Sequence, residues 1–170
     1  MEGCFFPARF SGYRPTGAGQ LVGGYCIAGI RDKLRVDAPD GVTIFLRAAN
    51  DDPESAVGLT LYLVIPDGVS LQFLSREVTV QSPEWSGPRA LTVYSITAGG
   101  PAYYEPAAVL TGSPNDAVDT FDLWLRPAGF PAASHFTVTV PAMQINGRTF
   151  EIGPVNFEAY SEWGAFTCAQ

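Results

Sequence analysis

From Gln20 onward, apolar and polar residues alternate along most of the chain. Val57, Leu59, Leu61, Leu63 and Ile65 interleave with Gly58, Thr60, Tyr62 and Val64. A period of two marks a strand with one face on a core. Val42, Ile44, Leu46 and Ala48 repeat the pattern, as do Val69, Leu71 and Phe73 and, after a phase shift at Ser75-Arg76, Val78 and Val80. Further strands are expected near residues 91–97, 121–126, 136–140, 150–152 and 155–157. No window of eleven residues carries a helical stripe free of Gly and Pro.

Turn chemistry agrees with the alternation. Asn146-Gly147 sits between two alternating runs, and this dipeptide suits a type I′ turn, whose two central residues take positive φ. Pro39-Asp40-Gly41-Val42 and Pro66-Asp67-Gly68-Val69 use one turn chemistry twice, with Pro pre-setting φ and Gly taking the left-handed position. Both read as hairpin corners. Longer loops are expected at 50–56, 82–89, 98–106, 111–117 and 127–134. About nine to eleven short strands at this spacing predict an all-β, antiparallel β-sandwich, immunoglobulin-like or jelly-roll.

Residues 1–19 break the pattern. Phe5, Phe6, Phe10 and Tyr13 are scattered among Pro7, Pro15, Arg9, Arg14 and several glycines, with neither a strand nor a helix period. This stretch is expected to be an extended N-terminal arm ahead of a sandwich domain at 20–170. Four aromatic rings suit a segment packed on its own domain or on a neighbouring subunit, not one free in water.

Composition narrows the class. A 170-residue chain can bury about 70% of the surface its unfolded form exposes, so it needs no metal or disulfide to fold. Only 16% of residues are charged, which argues against disorder, and 18 Gly with 14 Pro suit many tight turns. The net charge of −7, with Lys33 the one lysine, repels phosphate backbones and makes nucleic acid a poor partner. Arg31, Lys33 and Arg35 would share one strand face, read as an edge strand guarded by charge. No apolar run reaches the ~18 residues of a membrane helix. Met1-Glu2-Gly3-Cys4 has no basic region followed by an apolar stretch, so no signal peptide is read.

Candidate chemistry is sparse. Cys4, Cys26 and Cys168 form no C-x-x-C pair, which removes zinc-knuckle and thioredoxin-like readings. Cys26 and Cys168 lie in apolar runs near the two ends of the sandwich. They could be bridged there, favouring an extracytoplasmic or assembly-associated protein, or be buried free thiols. His135, the one histidine, lacks a nucleophile-elbow motif and reads as a surface residue at a strand start. Strand-borne acids are Glu77, Asp122, Glu151 and Glu158. Asp122 shares a face with Trp124 and Arg126, which could hold a sugar ring or simply meet solvent. Asn50-Asp51-Asp52-Pro53-Glu54, and Asn115-Asp116 with Asp119, offer oxygens to calcium but also suit β corners. Trp85, Tyr103 and Tyr104 lie in Pro/Gly-rich loops, and Trp163 precedes Gly164 near the end. Aromatics on such loops either anchor partners or cap a core.

Three functions follow, none with a cofactor or a metal. The first is a non-enzymatic interaction or structural module, a subunit or accessory domain of a bacterial envelope or virion-type assembly. It would bind protein partners through its loops and arm. The second is a carbohydrate-binding module using Trp85, Tyr103, Tyr104 or Trp124. The third is a glycoside hydrolase with paired carboxylates.

Overall fold

The computed structural model describes residues 5–23, 27–49, 57–75, 77–84, 89–97, 100–102, 109–112, 118–130 and 132–167. These form an all-β, sandwich-like fold whose only helical element is a 3-10 turn at Pro39–Gly41. The strand pairings are antiparallel. One exception is an isolated parallel bridge between Asp67 and Gly112.

The strands in chain order are β1 (Phe5–Thr16), β2 (Gln20–Gly23), β3 (Ile27–Ala28), β4 (Arg31–Asp37), β5 (Thr43–Ala49), β6 (Val57–Pro66), β7 (Ser70–Phe73), β8 (Glu77–Gln81), β9 (Arg89–Thr97), β10 (Gly100–Ala102), β11 (Leu110–Thr111), β12 (Val118–Phe130), β13 (His135–Thr139), β14 (Met143–Ile145), β15 (Arg148–Phe150) and β16 (Pro154–Thr167). A twelve-stranded sheet follows the path β1-β16-β13-β8-β9-β12-β6-β5-β4-β2, with β10 beside β9 and β3 beside β16. A four-stranded sheet has the order β11-β7-β14-β15. β1 and β2 stand at opposite ends of the long path, yet only residues 17–19 separate them. Three residues span at most about 11 Å. The large sheet therefore curls until its two ends come together, folding one sheet into both layers of the sandwich.

The core lies between those layers. Val57, Leu59, Leu61, Leu63 and Ile65 are all buried, and their β5 partners Ile44, Leu46 and Ala48 are buried opposite them. Val78, Val80, Phe136, Val138, Val155 and Phe157 continue the core across β8, β13 and β16. Each such aliphatic or aromatic side chain contributes about 1.5–3 kcal/mol relative to leaving it in water. The alternation of the sequence is thus the inside and outside of one curled sheet.

The turns show what local chemistry decides. Asn146 (φ 48°) and Gly147 (φ 77°) close the β14–β15 hairpin in left-handed geometry. Pro39–Gly41 closes the β4–β5 hairpin, with Asp40 at φ 57°. Pro66-Asp67-Gly68-Val69 closes with the same end-to-end bond, its Val69 amide donating to the Pro66 carbonyl at 3.1 Å, but only its Gly68 takes positive φ. The strand that follows it is nevertheless no hairpin partner. β7 leaves the large sheet and pairs with β14 and β11 in the small one. The phase shift at Ser75-Arg76 is the return, since β8 is back in the large sheet. Arg31, Lys33 and Arg35 also depart from the expectation of a charge-guarded edge. Their strand is not an edge, because β2 and β5 flank it.

Phe5–Thr16 is extended, and it packs on its own domain. β1 pairs with β16 along twelve consecutive positions, from Phe5 opposite Thr167 to Thr16 opposite Asn156. Tyr13 is 3% exposed and stands edge-on to Phe136, with ring centroids 4.9 Å apart. Tyr13→Ala should therefore cost about 3 kcal/mol, as buried aromatic truncations do. Arg9→Ala, on the exposed part of the same strand, should change stability by less than ~0.5 kcal/mol. Urea midpoints of the two variants measure this, and equal small losses would show that β1 is not part of the folded unit.

Candidate functional site

Three surfaces collect the polar and aromatic groups that could act on a partner. The first is the ribbon formed by β1 and β16. Its odd-numbered face buries Tyr13 and Pro15 at one end. At the other end the ribbon overruns the core, and that same face presents Arg9, Ser11, Ser161 and Trp163. Trp163 is 73% exposed. Arg9 Nε donates to Ser161 Oγ at 2.8 Å, and the hydroxyls of Ser11 and Ser161 lie 3.1 Å apart.

The ribbon's even-numbered face braces this end from behind. Arg14 grips Glu162 with two hydrogen bonds, Nη1 to Oε1 at 3.0 Å and Nη2 to Oε2 at 2.7 Å. Its guanidinium carbon lies 5.0 Å from the centroid of the Tyr160 ring, which suits cation–π attraction. Arg14 Nε reaches the Arg31 carbonyl at 3.4 Å, and Arg47 Nε donates to the buried Asp32 at 2.9 Å. Burial, with the nearby Asp32 charge, raises the Tyr160 hydroxyl pKa. A Cβ on Gly164 would come 2.8 Å from Ile30, so glycine lets the ribbon approach that side chain. Arg14 and the close approach at Gly164 thus tie the ribbon to the layer of Ile30 and Arg31, which the Arg47–Asp32 pair joins to β5.

The second surface is the outer face of β5, β6, β12 and β9. Register aligns Phe45, Tyr62, Asp122 and Ile96 in one row, and Arg47, Thr60, Trp124 and Tyr94 in the next. The Phe45 and Tyr62 rings lie 5.8 Å apart. Arg126 is aligned with Thr92, and Thr92 with Glu77. Asp122 and Trp124 therefore occupy neighbouring rows of one sheet face. The side chains of Asp122, Trp124 and Arg126 lie outside those described, as do those of Phe5 and Phe6. Trp85, Tyr103, Tyr104, Cys4, Cys26, Cys168 and most of both acidic loops lie wholly outside the described residues. The Cys26–Cys168 bridge and the loop aromatics are therefore not placed.

The third surface is a groove of about 480 Å³. Thr16, His135, Thr137, Asn156 and Glu158 are among the residues that line it. Its ingredients were visible in the sequence as one histidine and one strand-borne acid, but their pairing was not. His135 is aligned with Glu158, and Thr137 with Asn156. The Ala159 amide donates to the Ser134 carbonyl, so odd residues of β16 point their N–H toward β13. The even ones, Asn156 and Glu158, then form the non-hydrogen-bonded pairs, whose side chains stand closest together.

One end of the groove is fixed by Glu84. Its Oε1 accepts from the Ser134 amide at 2.7 Å and from the Ser134 hydroxyl, and lies 3.7 Å from His135 Nδ1. Ser82 Oγ donates to the His135 carbonyl at 2.7 Å and receives the Glu84 amide at 3.1 Å. Ser134 and Glu84 gather on the same imidazole nitrogen. A nucleophilic relay needs hydroxyl and acid on opposite nitrogens, so this trio is not arranged as one.

Among the described residues, no three His, Cys, Asp or Glu side chains converge as metal ligands, and no helix is long and apolar enough to cross a membrane. Comparison with protein-family models, curated proteins and solved structures finds no match for the chain.

Three carboxylates sit below their ordinary pKa range. Asp40 is lowered by hydrogen bonds from Arg148 and Asn146, Glu84 by those from the Ser134 hydroxyl and amide, and Glu162 by those from Arg14. A lowered pKa means that folding favours the anion. The stabilisation is fully present above the unfolded values of ~4–4.5 and is lost as pH falls through the folded ones. Urea midpoints should therefore hold level from about pH 7 to 5 and fall below about 4.5. Glu84→Gln and Glu162→Gln should each flatten that fall, and a wild-type midpoint unchanged down to about pH 3 would contradict this account.

Proposed function

We propose that the chain is a non-catalytic interaction or structural module, a subunit or accessory domain of an envelope or virion-type assembly. It meets a protein partner through the β1–β16 ribbon. The observation that carries this reading is Trp163, 73% exposed on a ribbon that is braced on its other face. Trp and Arg are the residue types most enriched at energetic centres of protein interfaces. Trp163 has Arg9 directly opposite on β1 and a polar rim of Ser11 and Ser161. A rigid anchor loses little conformational freedom when a partner covers it.

A carbohydrate-binding reading draws on a different observation. Phe45 and Tyr62 lie side by side on an outer sheet face, in register with Asp122 and next to the row of Trp124. Aromatic rings on a flat strand face can stack on sugar rings.

Replacing Trp163 with p-benzoylphenylalanine tests the first reading. Irradiation of the full chain in an extract of its source cells should give one discrete crosslinked species. The same replacement at Thr149, exposed on the small sheet, should give none. No adduct at position 163, or the same smear of adducts at both positions, counts against the ribbon as the contact surface.

A further inference from the structure

We infer that the groove between β13, β16 and the end of β1 is a binding site for a polyhydroxylated ligand, a sugar ring or short glycan. It is recognised through His135, Glu158, Asn156 and Thr16. This site is separate from the ribbon end that carries Trp163 and from the aromatic sheet face.

Part of the groove's hydrogen-bonding capacity is already used within the protein. Thr137 Oγ1 donates to Asn156 Oδ1 at 2.7 Å. Asn156 is thereby oriented with its amide nitrogen, carrying two hydrogens, unbonded among the described residues. Ser134 gives its hydroxyl proton to Glu84, so the Ser134 oxygen, 3.2 Å from His135 Nδ1, acts as an acceptor. The Nδ1 position then carries the proton of the neutral ring, and Nε2 keeps a lone pair. Among the described residues, Glu158 makes no hydrogen bond or ion pair, and the Thr16 hydroxyl makes no hydrogen bond. The groove thus offers donors at Asn156 and Thr16, and acceptors at Glu158 and His135 Nε2, within two adjacent side-chain rows. A vicinal diol needs this mixture, since each hydroxyl donates once and accepts as well.

The strand pattern separates a sugar from a peptide. An extended peptide binds a sheet by adding to a free strand edge. β13 lies between β16 and β8, and β16 lies between β1 and β13, so neither offers such an edge at the groove. Recognition there falls to side chains. The volume of about 480 Å³ is within the range of small-ligand sites, ~300–1,000 Å³. The Glu84–Ser134–His135 network and the Thr137–Asn156 bond hold two of the four groups in place before a ligand arrives, which lowers the entropic cost of binding.

His135 is the single histidine of the chain, so its imidazole Hε1 gives one assignable NMR signal. Cellohexaose, chitohexaose and polygalacturonate, each titrated to about 10 mM, span neutral, acetamido and anionic glycans. The expected result is a saturable shift of that signal with at least one of them. Asn156→Ala and Glu158→Gln should each weaken binding about tenfold or more with an unchanged urea midpoint near neutral pH. Tyr62→Ala should leave it intact. No His135 shift with any probe overturns the proposal. So does a saturable response that Tyr62→Ala abolishes and Asn156→Ala does not, which would place the sugar on the aromatic face. A Trp163 adduct with no His135 response would sink this site while leaving the ribbon reading standing.

Discussion

The structure depends on the ladder between its first and last strands. Twelve consecutive residue pairs join β1 to β16. The three-residue link from β1 to β2 then commits the opposite end of the sheet to the same place. The curl that encloses the core is a consequence of that connection. Apolar packing secures it at one end, where Tyr13, Phe136 and Phe157 meet in sequence, edge-on and then stacked. Charge braces it at the other, where Arg14 grips Glu162 across the ribbon and reaches the Arg31 carbonyl of β4. An isolated surface ion pair contributes little. A bidentate guanidinium–carboxylate pair also fixes direction, which a ribbon running past the core requires.

The ladder explains why some of the architecture was legible and some was not. β6 could be read from five alternate residues, because one face of it is buried from end to end. The β14–β15 hairpin could be read because only a few dipeptides accept two positive φ values in succession. The two Pro-Asp-Gly turns look alike in sequence and share one end-to-end hydrogen bond, although only Asp40 of the two aspartates is left-handed. They differ in outcome because a turn sets where the chain reverses, not which strand receives it. β1 and the far half of β16 hid their period for a physical reason. A twisted ribbon that leaves the core changes which face is covered along its length, so Arg9, Ser11 and Ser161 sit where the alternation through Tyr13 and Pro15 would place apolar residues. The candidate sites were legible as residue types only. Asp122 and Trp124 were read onto one strand face, and register sets them in neighbouring rows. His135 and Glu158 are separated by the rest of β13, the β14–β15 hairpin and the start of β16, so their pairing exists only in the register.

The ribbon and the groove use opposite strategies. The ribbon end exposes a large ring on a stiff support and leaves the surrounding polarity as a rim. The groove holds two of its four polar groups by internal hydrogen bonds, which aims their remaining donors and acceptors. Both lie along β16. Its near half forms a wall of the groove and its far half carries Trp163. One strand therefore serves two surfaces by being longer than the core that anchors it.

Closing a sheet with the chain's own ends also constrains how it is made. Arg9 and Ser161 meet across 152 positions, and contacts so remote in sequence slow the search for the native state. During synthesis β1 leaves the ribosome well before β16 and waits for it. Until then β13 and the incomplete ribbon present open edges of the kind that pair wrongly. Pro7 and Pro15, which cannot donate to a ladder, interrupt the waiting strand at two positions. The prolines that obscured β1 in the sequence thus leave its open edge short of two donors that a wrong partner strand would need.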